Sequence, residues 1–115
     1  MKDERKNYGD LGEELAASEM RRQGFSLLCR NYRKKTGEID IIGEKDGITY
    51  FVEVKAKHCS DFSTPADSVT PKKRKHIADT AAFWFAEHGE SKSSFFVAEV
   101  DLSKGTVRFI DDFLC

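Results

Sequence analysis

The ten-residue segment Ile48–Lys57 constrains the fold more than any other part of the chain. It is rich in β-branched and aromatic residues, which predicts a β-strand. Side chains alternate between the two faces of a strand, and the start of this segment is apolar on both. Phe51 lies on one face, and Tyr50 and Val52 lie on the other. A strand that is apolar on both faces is typical of the interior of a sheet, so we expect a central strand here.

Helices and further strands are predicted on both sides of this segment. Helical spacing of apolar residues predicts a first helix over about residues 8–23, and Thr70-Pro71 predicts the start of a second helix that ends at Gly89. Four further strands are predicted over residues 25–32, 38–42, 95–100 and 106–110. The turn Lys45-Asp46-Gly47 predicts an antiparallel hairpin. The order α-β-β-β-α-β-β indicates an α/β fold in which a mixed central sheet is flanked by helices.

Length and composition narrow the class of protein. The 115 residues correspond to one domain, residues 1–115, with an ordered core over about residues 8–111. No apolar run approaches the ~18 residues of a membrane span and no signal peptide is recognisable, so we expect a cytoplasmic protein without a membrane partner. The 19 basic and 20 acidic residues leave a net charge of −1, which argues against a polybasic binder. Three cysteines without a C-x-x-C pair argue against a structural zinc site.

Charged residues occupy strand positions where apolar residues are expected. Glu53 and Lys55 share one face at the far end of the central strand, where burial of an ion costs several kcal/mol. In the preceding strand, Asp40 lies between Ile39 and Ile41, which are predicted to share the opposite face. The hairpin is expected to bring Asp40 alongside the end of the strand that carries Glu53. Two carboxylates and an ammonium group would then meet at one edge of the sheet.

This combination of groups favours metal-assisted hydrolysis of phosphodiesters. Carboxylates repel one another unless a cation or proton intervenes, and Mg²⁺ takes one or two carboxylates together with water and phosphate oxygens. A lysine beside them can orient the attacking water or stabilise charge that develops on the phosphate. Glu13, at the border of the apolar stripe of the first helix, is a candidate third acid. Lys73 shares the inward side of the second helix with Ile77.

The spacing of Asp40 and Glu53-x-Lys55 resembles the PD-(D/E)XK nuclease signature, with Ile39 in place of proline. Further motifs occur in the same order as in the YraN-like family of small bacterial proteins, which the chain closely resembles over about residues 8–110. These motifs are Gly12-Glu13-x-x-Ala16, Gly24-Phe25, Arg30-Asn31, Gly37-Glu38-Ile39-Asp40, Phe51-Val52-Glu53-Val54-Lys55 and Val69-Thr70-Pro71-x-Lys73. That family is similar to archaeal Holliday-junction resolvases.

The resemblance implies a restriction-endonuclease-like fold and a role for each matching residue. Asp40 and Glu53 would be metal ligands supported by Glu13, and Lys55 would be the catalytic lysine. Structured or branched DNA is the substrate that the resemblance implies, and a homodimer follows by analogy. Lys57 stands where the family more often has arginine, which puts a planar bidentate phosphate contact at this position in doubt.

Three hypotheses follow for the function. The first is a metal-dependent endonuclease in which Asp40, Glu53 and Glu13 hold Mg²⁺ or Mn²⁺ and Lys55 assists the nucleophile. Four basic residues would bind the nucleic-acid backbone in that case: Arg30, Arg33, Lys57 and Lys73. The second is a nucleic-acid-binding or adaptor module that does not cleave. The third is purely structural, with Glu53 and Lys55 as a partly buried ion pair whose disruption would cost ~3 kcal/mol or more.

Overall fold

Helices and strands follow one another in the order α-β-β-β-α-β-β, as the sequence predicts. The computed structural model describes residues 4–58 and 70–111, with side chains described from Asp10 onwards, so most of the predicted loop over residues 58–71 lies outside the described residues. The elements are α1 (Glu4–Arg22), β1 (Ser26–Lys34), β2 (Gly37–Lys45), β3 (Ile48–Lys57), α2 (Pro71–His88), β4 (Lys92–Asp101) and β5 (Thr106–Asp111).

The strands form one mixed sheet in the spatial order β1-β2-β3-β4-β5. The pairs β1–β2, β2–β3 and β4–β5 are antiparallel, whereas β3 and β4 are parallel from Ile48↔Lys92 to Lys57↔Asp101. The central position predicted for the segment Ile48–Lys57 is confirmed. Because α2 connects the two parallel strands, it crosses over one face of the sheet, as a parallel connection requires.

Two apolar clusters hold the helices on opposite faces of the sheet. The α1 face is built on Ala16, Ala17, Met20, Ile41, Val52, Ala98 and Val100. The α2 face is built on Tyr32, Ile39, Ile42, Phe51, Ile77, Ala81, Trp84, Phe95 and Val97. Helix α1 approaches β3 closely at Gly12, where an added Cβ would lie 2.5 Å from the Cβ of Ala56. Glycine is therefore required for this packing distance.

The predicted ends of α2 are confirmed, whereas the predicted start of α1 is four residues too late. The Thr70 side chain caps α2 by accepting the Lys73 backbone N–H at 3.1 Å, and Gly89 ends the helix with a φ of 93°. The start of α1 was predicted near residue 8, but the helix begins at Glu4. The charged residues 4–6 are good helix formers that add nothing to an apolar stripe, so periodicity does not reveal them.

The face assignment of β2 is wrong at one point. Ile39 packs with the α2 cluster, whereas Ile41 packs with the α1 cluster, although the alternation predicts a shared face. Pairing of β2 with β3 extends from Lys45↔Ile48 to Ile41↔Val52, so Asp40 lies just beyond the paired stretch. Across from Asp40 on β1, Asn31 adopts a left-handed conformation with a φ of 54°. Both features interrupt the regular pleat, and the interruption is centred on Asp40.

Candidate active site

Asp40 lies at the point where β2 separates from β3. Its Oδ2 atom accepts a hydrogen bond of 2.8 Å from the Val54 backbone N–H, so the carboxylate takes the place of a strand-to-strand contact. Burial raises the pKa of Asp40 to about 7, with the negative charge of Glu53 as the second cause and the Val54 N–H acting in the opposite direction. A carboxyl group with a pKa near neutrality, beside a second acid, is typical of functional sites.

Glu53 lies on the α2 face of β3 with 8% of its side chain exposed. Its Oε1 atom accepts a hydrogen bond from the Nζ of Lys73, which is in the first turn of α2. The predicted inward direction of Lys73 is therefore confirmed. The ion pair joins Glu53 to Lys73 rather than to Lys55, so the structural hypothesis drawn from the sequence names the wrong partner.

Lys55 lies two residues further along the same face of β3 and is partly buried. Burial lowers its pKa, and the positive charge of Lys73 lowers it further, while Glu53 and Asp40 act in the opposite direction. Asp40, Glu53, Lys55 and Lys73 thus form one interacting group, which we call the carboxylate–lysine cluster. The three residues of the predicted signature are brought together here.

Glu13 approaches the cluster from α1 and is 9% exposed. Its Oε1 atom accepts hydrogen bonds from Arg30 Nε at 2.9 Å and from Asn31 Nδ2 at 3.1 Å. Arg30 also donates through Nη1 to Glu14 Oε1 at 2.5 Å. The negative charge of Glu13 contributes to the raised pKa of Asp40, which places it within electrostatic reach of the cluster. Its carboxylate is nevertheless held by β1.

The four basic residues predicted to bind nucleic acid occupy different surroundings. Arg30 is tied to the two glutamates of α1, and Lys73 is tied to Glu53. Arg33 pairs with Glu38 and keeps 75% of its side chain exposed. Lys57 lies at the exposed end of β3. Arg33 and Lys57 are therefore the two that present an exposed side chain in this arrangement.

Two buried acids on β4 escaped the sequence analysis. Glu99 and Asp101 are 4% and 5% exposed, and they lie in register with Lys55 and Lys57 of β3. The signal was available, because both share a face with Val97 and interrupt an apolar strand in the same way as Glu53 and Lys55 do.

The cluster offers two of the ligands that a hard divalent cation needs. The carboxylates of Asp40 and Glu53 repel each other, which contributes to the raised pKa of Asp40. Carboxylates suit Mg²⁺ or Mn²⁺, which bind water and phosphate oxygens at their other positions. Within residues 4–58 and 70–111, no three His, Cys, Asp or Glu side chains are grouped closely enough to hold a metal ion. Asp40 and Glu53 would therefore be the protein ligands, and solvent or substrate would complete the coordination.

The fold and the site together define an α/β protein with a mixed five-stranded sheet and a partly buried carboxylate–lysine cluster where β2 separates from β3. The model of the uncharacterised protein family UPF0102 matches residues 12–109, and the chain belongs to that family. The matched stretch includes every residue of the cluster and Glu13. The YraN-like name suggested by the motifs is consistent with this membership. In the described part of the chain, neither helix has the length and apolar character to cross a membrane.

Three relatives illustrate the range of similarity. A UPF0102 protein of Clostridium perfringens is 32% identical over 120 residues, which cover 97% of each chain. A UPF0102 protein of Desulfosudis oleivorans is 35% identical over 91 residues, covering 79% of this chain and 74% of the relative. A UPF0102 protein of Nocardia farcinica is 44% identical over 79 residues, covering 69% of this chain and 62% of the relative. These relatives therefore share the central part of the domain at least.

Proposed function

We propose that the protein is a metal-dependent endonuclease of the PD-(D/E)XK type that hydrolyses phosphodiester bonds in nucleic acid. A restriction-endonuclease-like fold and a preference for structured or branched DNA belong to the same proposal. The observation that carries it is the meeting of Asp40, Glu53 and Lys55 where β2 separates from β3. In a nuclease of this type, the two carboxylates would hold the metal ion and the neighbouring amine would assist the nucleophile.

The electrostatics of the cluster support a cation-binding role. Asp40 and Glu53 repel each other, and burial of Asp40 adds to the cost of charging both. A divalent cation would remove this cost because it favours both ionised forms. When bound, Mg²⁺ or Mn²⁺ would lower the pKa of a coordinated water and neutralise charge on the phosphate. Glu13 would contribute through its negative charge, since its carboxylate is fixed by Arg30 and Asn31.

Each basic residue has a separate part in the proposal. The Lys55 amine would orient the attacking water or stabilise charge on the phosphate. The Lys73 amine is bound to Glu53 but 39% of its side chain is exposed, so it is able to leave the carboxylate for a phosphate oxygen. Arg33 and Lys57 would bind the backbone at the exposed surface, which makes binding weaker as salt concentration rises.

The test is cleavage of a panel of single-stranded, duplex and four-way-junction DNA with Mg²⁺ or Mn²⁺. Asp40→Asn and Lys55→Ala should abolish cleavage and leave the fold intact, as judged by circular dichroism. Asp79→Asn is the matched control, because Asp79 pairs with Lys75 on α2, outside the cluster. Equal products from the wild type and from Asp40→Asn would show a contaminating nuclease and contradict the proposal.

A second function is favoured by one observation. The ammonium group of Lys73 already balances the negative charge of Glu53. Glu53 therefore has a positively charged partner in the absence of a metal ion. This arrangement suits a nucleic-acid-binding or adaptor module that does not cleave. A gel-shift assay with and without a chelator separates the two functions. Salt-sensitive binding that persists in the chelator and in Asp40→Asn, without cleavage of any substrate, would favour the module.

A further inference from the structure

The positive charges of the cluster are unevenly shared among the nearby carboxylates. Lys73 donates to Glu53, and its positive charge also acts on Lys55, which lies two residues beyond Glu53 on the same face of β3. Two ammonium groups are therefore concentrated on the Glu53 side of the cluster. Neighbouring like charges are unfavourable, and burial, followed by the positive charge of Lys73, lowers the pKa of Lys55.

Glu99 lies on the other side of Lys55, one strand away. The two residues are in register across the parallel β3–β4 pair and share the α2 face, so their Cα atoms are about 5 Å apart. Glu99 is 4% exposed, and its Oε2 atom is buried without a hydrogen-bond partner in the part of the chain that the structure describes. A buried carboxylate oxygen without a donor is costly, so an arrangement in which a donor reaches it is expected.

Asp101 shows that this strand is able to satisfy a buried acid. It follows Glu99 by two residues on the same face and is 5% exposed. Its Oδ1 atom accepts from Ser103 N at 3.0 Å, from Ser103 Oγ at 2.6 Å and from Lys104 N at 3.2 Å, which fixes the turn into β5. Two neighbouring acids of similar burial thus differ, because the turn supplies donors to Asp101, whereas Glu99 Oε2 has none among the described residues.

We propose that Glu99 is the positioning residue of Lys55, accepting its ammonium group when a divalent cation occupies Asp40 and Glu53. The inference rests on the proposed function, because a cation held by Asp40 and Glu53 would repel both ammonium groups from Glu53. Lys73 is partly exposed and moves toward solvent or a phosphate oxygen. Lys55 is anchored on β3 in register with Glu99, so the unpaired carboxylate oxygen of Glu99 is an acceptor one strand away. Glu99 then holds the Lys55 side chain close to the reacting phosphate.

The experiment compares Glu99→Gln with Asp101→Asn and with the wild type. The side-chain amine of Lys55 is followed by NMR in protein labelled with ¹⁵N-lysine during a titration with Mg²⁺, and its signal is assigned with Lys55→Arg. The carboxyl carbons of Asp40 and Glu53 are followed in the same titration as reporters of the cation. Melting temperatures without metal and cleavage rates with Mg²⁺ complete the comparison.

We expect Mg²⁺ to shift and sharpen the Lys55 amine signal in the wild type and in Asp101→Asn, but not in Glu99→Gln. Glu99→Gln should melt at the wild-type temperature or higher, because it removes a buried charge, and should cleave about ten- to a hundredfold more slowly. Asp101→Asn should melt at a lower temperature, because it weakens three hydrogen bonds of the turn.

Two results would overturn the inference in distinguishable ways. A Lys55 response in Glu99→Gln equal to that of the wild type would show that Glu99 does not hold Lys55, and the proposed nuclease would stand. Wild-type protein in which neither Lys55 nor the carboxyl carbons of Asp40 and Glu53 respond to Mg²⁺ would overturn the proposed function and the inference with it.

Discussion

Glu13 and Glu53 are buried glutamates that approach the point where β2 separates from β3 from opposite faces of the sheet, and their surroundings differ. On the α1 side, the Glu13 carboxylate accepts from both Arg30 and Asn31, and Arg30 is shared with Glu14. On the α2 side, Glu53 faces the partly buried Asp40 and is approached by two amines that repel each other. The carboxylate of Glu13 has donors of opposite charge, which is typical of a residue that stabilises the fold. The group around Glu53 contains like charges close together and shifted pKa values, which are characteristic of functional sites.

The largest expected effect is on cleavage by Glu53→Gln. Loss of this carboxylate removes one of the two proposed metal ligands, so the rate with Mg²⁺ should fall by about a thousandfold or more, a change of roughly 4 kcal/mol in activation free energy. The folded protein should lose little stability, because Lys73 is partly exposed and is hydrated when its partner is removed. Single-turnover rates and thermal melts measure both quantities. A Glu53→Gln variant that loses stability and keeps its cleavage rate would show that Glu53, like Glu13, has a structural role.

The next effect is on stability, by Glu13→Gln. This change removes the negative charge of a carboxylate that is 9% exposed and accepts hydrogen bonds from Arg30 and Asn31. The free energy of unfolding should therefore fall by about 1.5–3 kcal/mol. Chemical denaturation with urea measures the difference. Glu14→Gln is the matched control, because Glu14 contacts the same arginine from a side chain that is 59% exposed. Equal effects of the two variants would contradict the structural role assigned to Glu13.

A further effect, comparable with the preceding one or somewhat larger, is expected in the pH dependence of stability. The pKa of Asp40 rises from its ordinary value of 3.8 to about 7 in the folded protein, so the folded state binds the proton more tightly than the unfolded state. Stability from this group is therefore highest below about pH 4 and falls as pH rises toward 7, by a few kcal/mol at most.

Thermal melts between about pH 4 and pH 7 isolate this contribution when the wild type is compared with Asp40→Asn. The variant should lack the decline, so the difference between the two proteins should change with pH. Saturating Mg²⁺ should also flatten the decline, because a bound cation lowers the pKa of Asp40. A difference between the proteins that is independent of pH would contradict the assigned pKa.

The smallest effect concerns binding of nucleic acid at the exposed surface. Arg33→Ala should reduce the slope of log K against log salt by about one, as expected for one lost phosphate contact. The exposed ion pair with Glu38 contributes little to stability, so the melting temperature should barely change. Fluorescence anisotropy at several salt concentrations measures the slope. An unchanged slope would remove Arg33 from the proposed interface.

The parts of the fold that depend on local signals were predictable from the sequence. Thr70-Pro71 and Gly89 mark the ends of α2, and the doubly apolar start of β3 places that strand in the middle of the sheet. The reversal of faces between Ile39 and Ile41 was not predictable by alternation, because it arises where β2 leaves β3 and where Asn31 of another strand adopts a positive φ. Such interruptions depend on contacts between strands rather than on the strand's own pattern.

The sequence predicted which residues form the candidate site, but not the hydrogen-bond and ion-pair partners of those residues. The spacing of Asp40, Glu53 and Lys55 identified three residues that the structure brings together. The engagement of Arg30 with the glutamates of α1 depends on how that helix packs against β1, which no short motif encodes. The difference between Glu99 and Asp101 is likewise set by the neighbouring turn. Residue type alone does not distinguish a satisfied buried acid from an unsatisfied one.

The central claim is that Asp40 and Glu53 together hold a divalent cation. Isothermal titration of Mn²⁺ into the wild type and into Asp40→Asn, with Asp79→Asn as the control, measures this directly. We predict one binding site in the wild type and in the control, and an affinity at least about tenfold weaker in Asp40→Asn. Equal affinities in all three proteins, or no binding to the wild type, would contradict the claim.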